Sequence, residues 1–153
     1  MSSAISDKLL EVRDYVEEGY SPVVDYAEWR VAVLNFSNDL LPENITAMQR
    51  HDETDEVFVL LRGRCTLFIG EGDKKVTYIF AENMQPFKIY NVKKSVWHTH
   101  TLSRNAKVLI VENRDTTFDN SPFCPLTGSQ RAKIAELTSE FRDEAAKRKN
   151  RSG

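Results

Sequence analysis

The sequence predicts a single domain built mainly from β-strands, arranged as an antiparallel sandwich or barrel. A chain of 153 residues suits one hydrophobic core. Between residues 20 and 113, short segments rich in Val, Ile, Phe and Tyr alternate with turn residues such as GEGDKK, as is typical of antiparallel folds. Crossover helices have no room between these segments, so a parallel sheet is not expected. The eight predicted strands are RVAVLNF, ITAMQRH, EVFVLLRG, RCTLFIG, KVTYIFA, FKIYNV, VWHTHTL and AKVLIVEN.

The composition is that of an ordinary globular protein and limits the classes of partner that it could bind. Hydrophobic residues make up 41% and charged residues 29%, and the net charge of −2 argues against a broad basic face for nucleic acid. No apolar run approaches the roughly 20 residues that span a bilayer. The first residues lack a basic start and a continuous apolar stretch, which favours a cytoplasmic location. Two cysteines, Cys65 and Cys124, suggest no disulfide framework.

Residues 1–19 are predicted to form a short N-terminal helix, centred on residues 7–18. Ser6 can cap its start and Gly19 can end it. Its apolar residues recur at helical spacing and are Leu9, Val12 and Val16.

A second helix is predicted over residues 127–147. Thr127 and Gln130 stand in the spacing of a capping box. One apolar stripe follows, formed by Ile134, Leu137 and Phe141. The basic residues 148–153 are predicted to be a disordered tail.

Three histidines, His51, His98 and His100, are the first candidates for chemistry. Side chains two residues apart on a strand share a face, so Gln49 pairs with His51, and His98 with His100. Glu56 follows His51 after four residues. Imidazole and carboxylate together suit Fe, Mn, Zn, Co or Ni. Taken singly, each histidine fits a hydrogen-bonded structural role better than a ligand role, and Glu56 fits a solvated charge within the run DETDE.

The segment QRHDETDEVFVLLRG, residues 49–63, resembles the first motif of the cupin superfamily. That motif reads His, any residue, His, three or four residues, Glu, six residues, Gly. His51, Glu56 and Gly63 match it at both spacings. Gln49 stands where the family has its first histidine, which is a departure from the pattern.

The segment KKSVWH, residues 93–98, resembles the second cupin motif, which reads Pro, any residue, Gly, two residues, His. His98 matches the ligand position. Lys93 replaces the proline and Ser95 the glycine. The resemblance covers residues 30–113.

The resemblance implies a double-stranded β-helix, the cupin jelly-roll barrel, over residues 20–126, with one divalent metal ion in its mouth. Carried over position by position, the metal ligands would be Gln49, His51, Glu56 and His98. His100 competes with Gln49 as fourth ligand, or acts as a general base beside the metal. His100 and Glu56 are the residues expected to move a proton.

The resemblance implies a metal-dependent enzyme of isomerase, lyase or dioxygenase type, acting on a small polar substrate such as a sugar or organic acid. One alternative is a non-catalytic binding or sensing module, which the departures from both motifs favour. Another is a plain sandwich whose histidines are structural. Small cupins commonly pair through sheet edges and terminal segments, so a homodimer is expected. Neither a nucleic-acid nor a membrane partner is expected.

Overall fold

Ten strands form two antiparallel five-stranded sheets over residues 4–153, the part of the chain that the computed structural model describes. The first sheet has the order β1-β2-β9-β4-β7 and the second the order β10-β3-β8-β5-β6. The strands are β1 Tyr20–Tyr26, β2 Trp29–Asn35, β3 Ala47–Gln49, β4 Glu56–Arg62, β5 Cys65–Glu71, β6 Tyr78–Asn83, β7 Ile89–Val92, β8 Trp97–Leu102, β9 Lys107–Asn113 and β10 Phe123–Pro125. Short 3₁₀ helices lie at Asn38–Leu40, Pro42–Asn44 and Phe118–Asn120.

All eight predicted strands are present, as β2 to β9, which confirms the mainly-β prediction. β1 and β10 were not predicted. β1 contains Pro22 and its register with β2 shifts between Pro22 and Val24, and β10 is three residues long and ends at Pro125. Both are edge strands, the place where proline is tolerated in a sheet. Their sequences therefore carry a weak strand signal.

The main core fills the space between the two sheets. In β4 the side chains alternate, so that Phe58 and Leu60 are each 1% exposed while their neighbours are half-buried. This period of two sends every second side chain inward. The inward-facing apolar residues include Ala32, Leu34, Phe58, Leu60, Leu67, Val108 and Ile110.

A second core lies on the outer face of the second sheet, beneath helix α1, Gly128–Arg151. Trp97 is buried there, which confirms that it points away from the two histidines of its strand. Both cysteines are buried free thiols. The residues of this core are Ile45, Met48, Phe68, Val76, Ile79, Trp97, Cys124 and Ile134.

Helix α1 begins at the predicted capping box. The Thr127 side chain accepts from the Gln130 backbone N–H, and the Gln130 side chain accepts from that of Thr127. The helix runs to Arg151, so residues 148–151 are helical instead of forming the predicted tail. Within residues 4–153, none of the helical segments combines the length and the apolar character needed to cross a membrane.

The predicted N-terminal helix is absent over residues 4–19, and residues 1–3 of that prediction lie outside the described residues. Residues 7–9 form a turn and residues 10–16 carry no regular secondary structure. The predicted apolar stripe is exposed, at 82% for Leu9, 70% for Val12 and 76% for Val16. A lone helix of this length is marginal in water without a surface to pack against. The segment is instead tied to the barrel by the Asn35 amide, which donates to the carbonyls of Tyr15 and Glu17 at 2.9 and 2.8 Å.

Gly63, between β4 and β5, is expected to tolerate no side chain. Its φ is +75°, and an added Cβ would lie 2.6 Å from the Ala106 Cα. Gly63→Ala should lower the free energy of unfolding by about 2 kcal/mol or more, measured by chemical denaturation. Gly128→Ala is the control, because nothing lies within 4 Å of its added Cβ at the start of α1. Equal stability of the two variants would contradict this reading of the turn.

Candidate metal centre

His51, Glu56 and His98 converge at one point between the two sheets. Glu56 is the first residue of β4 in the first sheet, His98 lies in β8 of the second, and His51 lies two residues after the end of β3. One ligand atom from each lies within 4.8 Å of the other two. All three side chains are buried. Three of the four residues that the cupin resemblance marked as ligands are therefore brought together by the fold.

His98 presents its Nε2 atom to the Glu56 carboxylate. The two atoms His98 Nε2 and Glu56 Oε2 are 2.8 Å apart. The other ring nitrogen, Nδ1, lies 3.0 Å from the Val96 carbonyl oxygen. Since a carbonyl can only accept, Nδ1 carries the proton. In the neutral ring this leaves a lone pair on Nε2, directed at the carboxylate.

His51 is oriented in the same way by a serine. Its Nε2 lies 2.8 Å from Glu56 Oε2, and its Nδ1 lies 2.7 Å from the Ser121 hydroxyl. The Asn120 side-chain oxygen accepts from the Thr117 N–H and from the Ser121 hydroxyl. Because the single hydroxyl proton of Ser121 is donated to Asn120, the Ser121 oxygen must accept a hydrogen bond from the His51 Nδ1–H.

These hydrogen bonds test whether the residues fit a metal ion, and they do. With both imidazoles neutral, their Nε2 lone pairs would face the carboxylate, an arrangement that requires a cation between them, either a metal ion or, in the metal-free protein, a proton on Nε2. A metal-ligating histidine typically donates its other N–H to a backbone carbonyl or a polar side chain. Two histidines with one carboxylate form a set that leaves coordination positions open.

The contact between Glu56 and His51 shifts the pKa values of these two groups in opposite directions. Burial alone raises the pKa of Glu56, but hydrogen bonds and charges from His51 and His98 outweigh it and hold that pKa well below its usual range. Burial alone lowers the pKa of His51, but the hydrogen bond and charge of Glu56 raise it above its ordinary value. In metal-free protein, the site therefore favours a carboxylate paired with protonated imidazole.

Gln49, the fourth predicted ligand, lies beside this group. It is opposite His98 across β3 and β8 and lines the same cavity. Its side-chain nitrogen donates to the Ser121 carbonyl at 3.1 Å, so its side-chain oxygen is the atom that would bind a metal. The ligand role of Gln49 stays a prediction.

His100 lies two residues beyond His98 on β8, with its ring against the Phe58 ring at a centroid distance of 5.6 Å. Burial, together with the charge of His98, lowers its pKa to about 4. Among the described residues, its Nδ1 atom has no hydrogen-bond partner. His100 is not part of the group whose ligand atoms lie within 4.8 Å of one another. Its catalytic role stays a prediction, as does that of Glu56.

The sequence analysis missed a second polar group that lines the same cavity, on the first sheet. The Tyr20 hydroxyl donates to Glu112 Oε1, and Arg30 lies beside them. Burial, together with the charge of Glu56, raises the pKa of Glu112 to about 7. The alternation along AKVLIVEN could have found Glu112, because it shares the buried face of β9 with Val108 and Ile110.

The cavity that contains both groups has a volume of about 630 Å³. This is within the range of small-molecule sites, which are concave and largely apolar with a few polar groups. Its walls come from both sheets and from the loop after β9.

Comparison with solved structures identifies the class of fold. Streptomyces Pac13, a nucleoside dehydratase with a cupin-like barrel, matches with a TM-score of 0.52 at 6% identity, over 76% of this chain and 87% of its own. The CapF protein of Staphylococcus aureus matches with a TM-score of 0.53 at 12% identity, over 80% of this chain and 34% of its own. A cupin-2 domain protein from Shewanella frigidimarina is 21% identical over 65% of this chain and 85% of its own, with a TM-score of 0.46. The chain has the cupin jelly-roll fold, as the two motifs implied.

No family model matches the sequence, and no curated protein matches it. At the identities found, the structural likeness concerns the fold alone. The chemistry of the site must be argued from the residues of this chain.

The pKa of His51 should depend on Glu56. In protein freed of metal with EDTA, we expect a His51 pKa above 6.5, and Glu56→Gln should lower it, because burial then acts against the charged ring. Histidine ring signals followed by NMR across pH measure this, and a chain with 3 histidines is readily assigned. Glu43→Gln, which changes an exposed carboxylate, is the control. An unchanged His51 pKa in the Glu56 variant would show that the pair is not coupled.

Proposed function

We propose that this chain is a metal-dependent enzyme that acts on a small oxygenated substrate held in the barrel cavity. The observation that carries the proposal is the convergence of His51 Nε2, His98 Nε2 and Glu56 Oε2, each imidazole being oriented through its other nitrogen. A purely structural role would need no such common point for three buried polar groups. The adjoining cavity gives a substrate access to that point.

The metal would be held by His51, Glu56 and His98, with Gln49 as fourth ligand and His100 as the alternative. Fe, Mn, Zn, Co and Ni all suit these donors. When bound, such an ion polarises a carbonyl or hydroxyl group, or lowers the pKa of water. Two substrate oxygens fit the positions that a three-residue set leaves open.

The remaining polar residues of the cavity supply proton transfer. His100 lines the cavity and has a depressed pKa, so its ring is neutral at pH 7 and would act as a weak base or hydrogen-bond partner toward the substrate. Glu112 has a pKa of about 7, so it can hold or release one at its carboxyl oxygens. Because Glu56 is hydrogen-bonded to both histidines, we assign it to metal binding instead of proton transfer. An acid and a base on facing walls suit isomerase or lyase chemistry, and the fold relative Pac13 is a dehydratase.

A non-catalytic binding module is the second candidate. Its support is the set of departures from the cupin motifs, at Gln49, Lys93 and Ser95. His100→Ala separates the two candidates. Loss of turnover with ligand binding retained supports the enzyme, whereas a ligand that binds and is never transformed by the wild-type protein supports the module.

His51→Ala and His98→Ala should each abolish stoichiometric metal binding, because each removes a ligand from a set of three or four. Elemental analysis of the purified variants measures this. Thr99→Ala is the matched control, since Thr99 lies in β8 between His98 and His100 and lines the same cavity. Gln49→Ala decides whether the amide is a ligand. Metal content unchanged in both histidine variants would refute the proposed function.

Ser121 is expected to act as a positioning residue for His51. Ser121→Ala removes the acceptor of the His51 Nδ1–H and should weaken metal binding by about 10- to 100-fold, measured by competition with a chromogenic chelator. Ring-nitrogen NMR should show a change in the His51 tautomer. Ser139→Ala, on α1 away from the cavity, should change neither. Wild-type affinity and tautomer in the Ser121 variant would exclude the role.

A further inference from the structure

Two exposed phenylalanines stand among the residues that line the cavity. Phe118 is 81% exposed and Phe123 is 56% exposed. Their ring centroids are 6.0 Å apart and their planes are tilted by 32°. We call this pair the aromatic rim. Two neighbouring apolar rings left in water beside a concave site are typical of a surface that a ligand covers.

The strand register places Phe123 on the same face as the metal centre. Phe123 is opposite Gln49 across β10 and β3, and Gln49 is opposite His98 across β3 and β8. Residues directly opposite in antiparallel strands project on one side. Neighbouring strands are 4.7–4.9 Å apart, so Phe123 lies about 10 Å from His98 along this row. A single small molecule can span that distance.

The backbone that carries Phe118 is held in place. Phe118 opens a 3₁₀ helix with a capping box between Thr117 and Asn120. The Asn120 side-chain nitrogen also donates to the Glu53 carboxylate at 3.2 Å. The Asn120 backbone carbonyl accepts from the Asp52 N–H at 3.0 Å. The ring is therefore displayed on a fixed support, which reduces the entropy that a ligand must overcome on binding.

We propose that the aromatic rim binds a planar ring of the substrate, whose other end carries the oxygen atoms held at the metal centre. The substrate class is then a hydroxy acid or oxo acid that bears an aromatic ring. Such a molecule is larger than a simple sugar or a small organic acid without a ring. This deepens the proposed function and rests on it for the oxygen-binding end. Rings at 6.0 Å are too close to enclose another ring, so the substrate ring packs across both of them.

A matched pair of ligands tests this. Pyruvate and phenylpyruvate offer the same oxo and carboxylate oxygens, and they differ by one phenyl ring. Titrated calorimetrically into the full-length protein loaded with Co(II), phenylpyruvate should bind about tenfold more tightly. The visible Co(II) spectrum reports oxygen binding at the metal independently of the ring.

Phe118→Ala and Phe123→Ala should each remove most of this preference while leaving pyruvate affinity unchanged. Phe80→Ala is the matched control. Phe80 belongs to an exposed aromatic pair with Tyr78, on β6 outside the cavity, and its removal should change neither affinity. Thermal unfolding of each variant confirms that the exposed rings can be removed without loss of the fold.

The outcomes separate this inference from the function on which it rests. Equal affinity for both ligands, with a change in the Co(II) spectrum, overturns the aromatic rim and leaves the metal-dependent function standing. A ring preference that disappears in the rim variants, without any spectral change, supports the rim and contradicts oxygen binding at the metal. Failure of phenylpyruvate to bind at all overturns the rim, and the metal content of the histidine variants then decides the proposed function.

Discussion

The buried carboxylate of Glu56 is the constraint on which the site depends. A charge enclosed between two sheets is strongly disfavoured unless it is paired and hydrogen-bonded. His51 and His98 satisfy it, both at 2.8 Å, and each must in turn be held by its other nitrogen. That requirement fixes Val96 and Ser121 as acceptors. The carboxylate of one sheet thus determines what the other sheet and the loop before β10 must present.

The second sheet is buried on one side by the barrel and on the other by α1, and its period-two alternation keeps the two environments apart. Neighbours in sequence fall on opposite faces, with Met48, Trp97 and Cys124 beneath the helix and Gln49, His98 and Phe123 in the barrel. A slip of one residue would exchange all of these positions. The register that packs the helix therefore also aligns the proposed metal ligands with the aromatic rim.

The sequence was sufficient for the central strands, because their alternation is a short-range pattern, and for the group of His51, Glu56 and His98, because two motifs resemble those of a known family. It failed where tertiary contacts decide. The segment at residues 7–18 has a helical pattern, but the barrel offers no surface for it. Glu112 was hidden in an apolar run, and its partner Tyr20 lies 92 residues away. The homodimer and the cytoplasmic location stay predictions.

The proposed metal ligands and the aromatic rim lie on parts of the fold that differ in their tolerance of substitution. Glu56 and His98 belong to strands paired on both sides, whereas Phe123 lies on an edge strand and Phe118 in a loop. Edge strands and loops accept substitutions that interior strands reject. Evolution can therefore exchange the rim residues while the proposed metal centre is kept, and related chains can diverge in the molecule they bind without losing that centre.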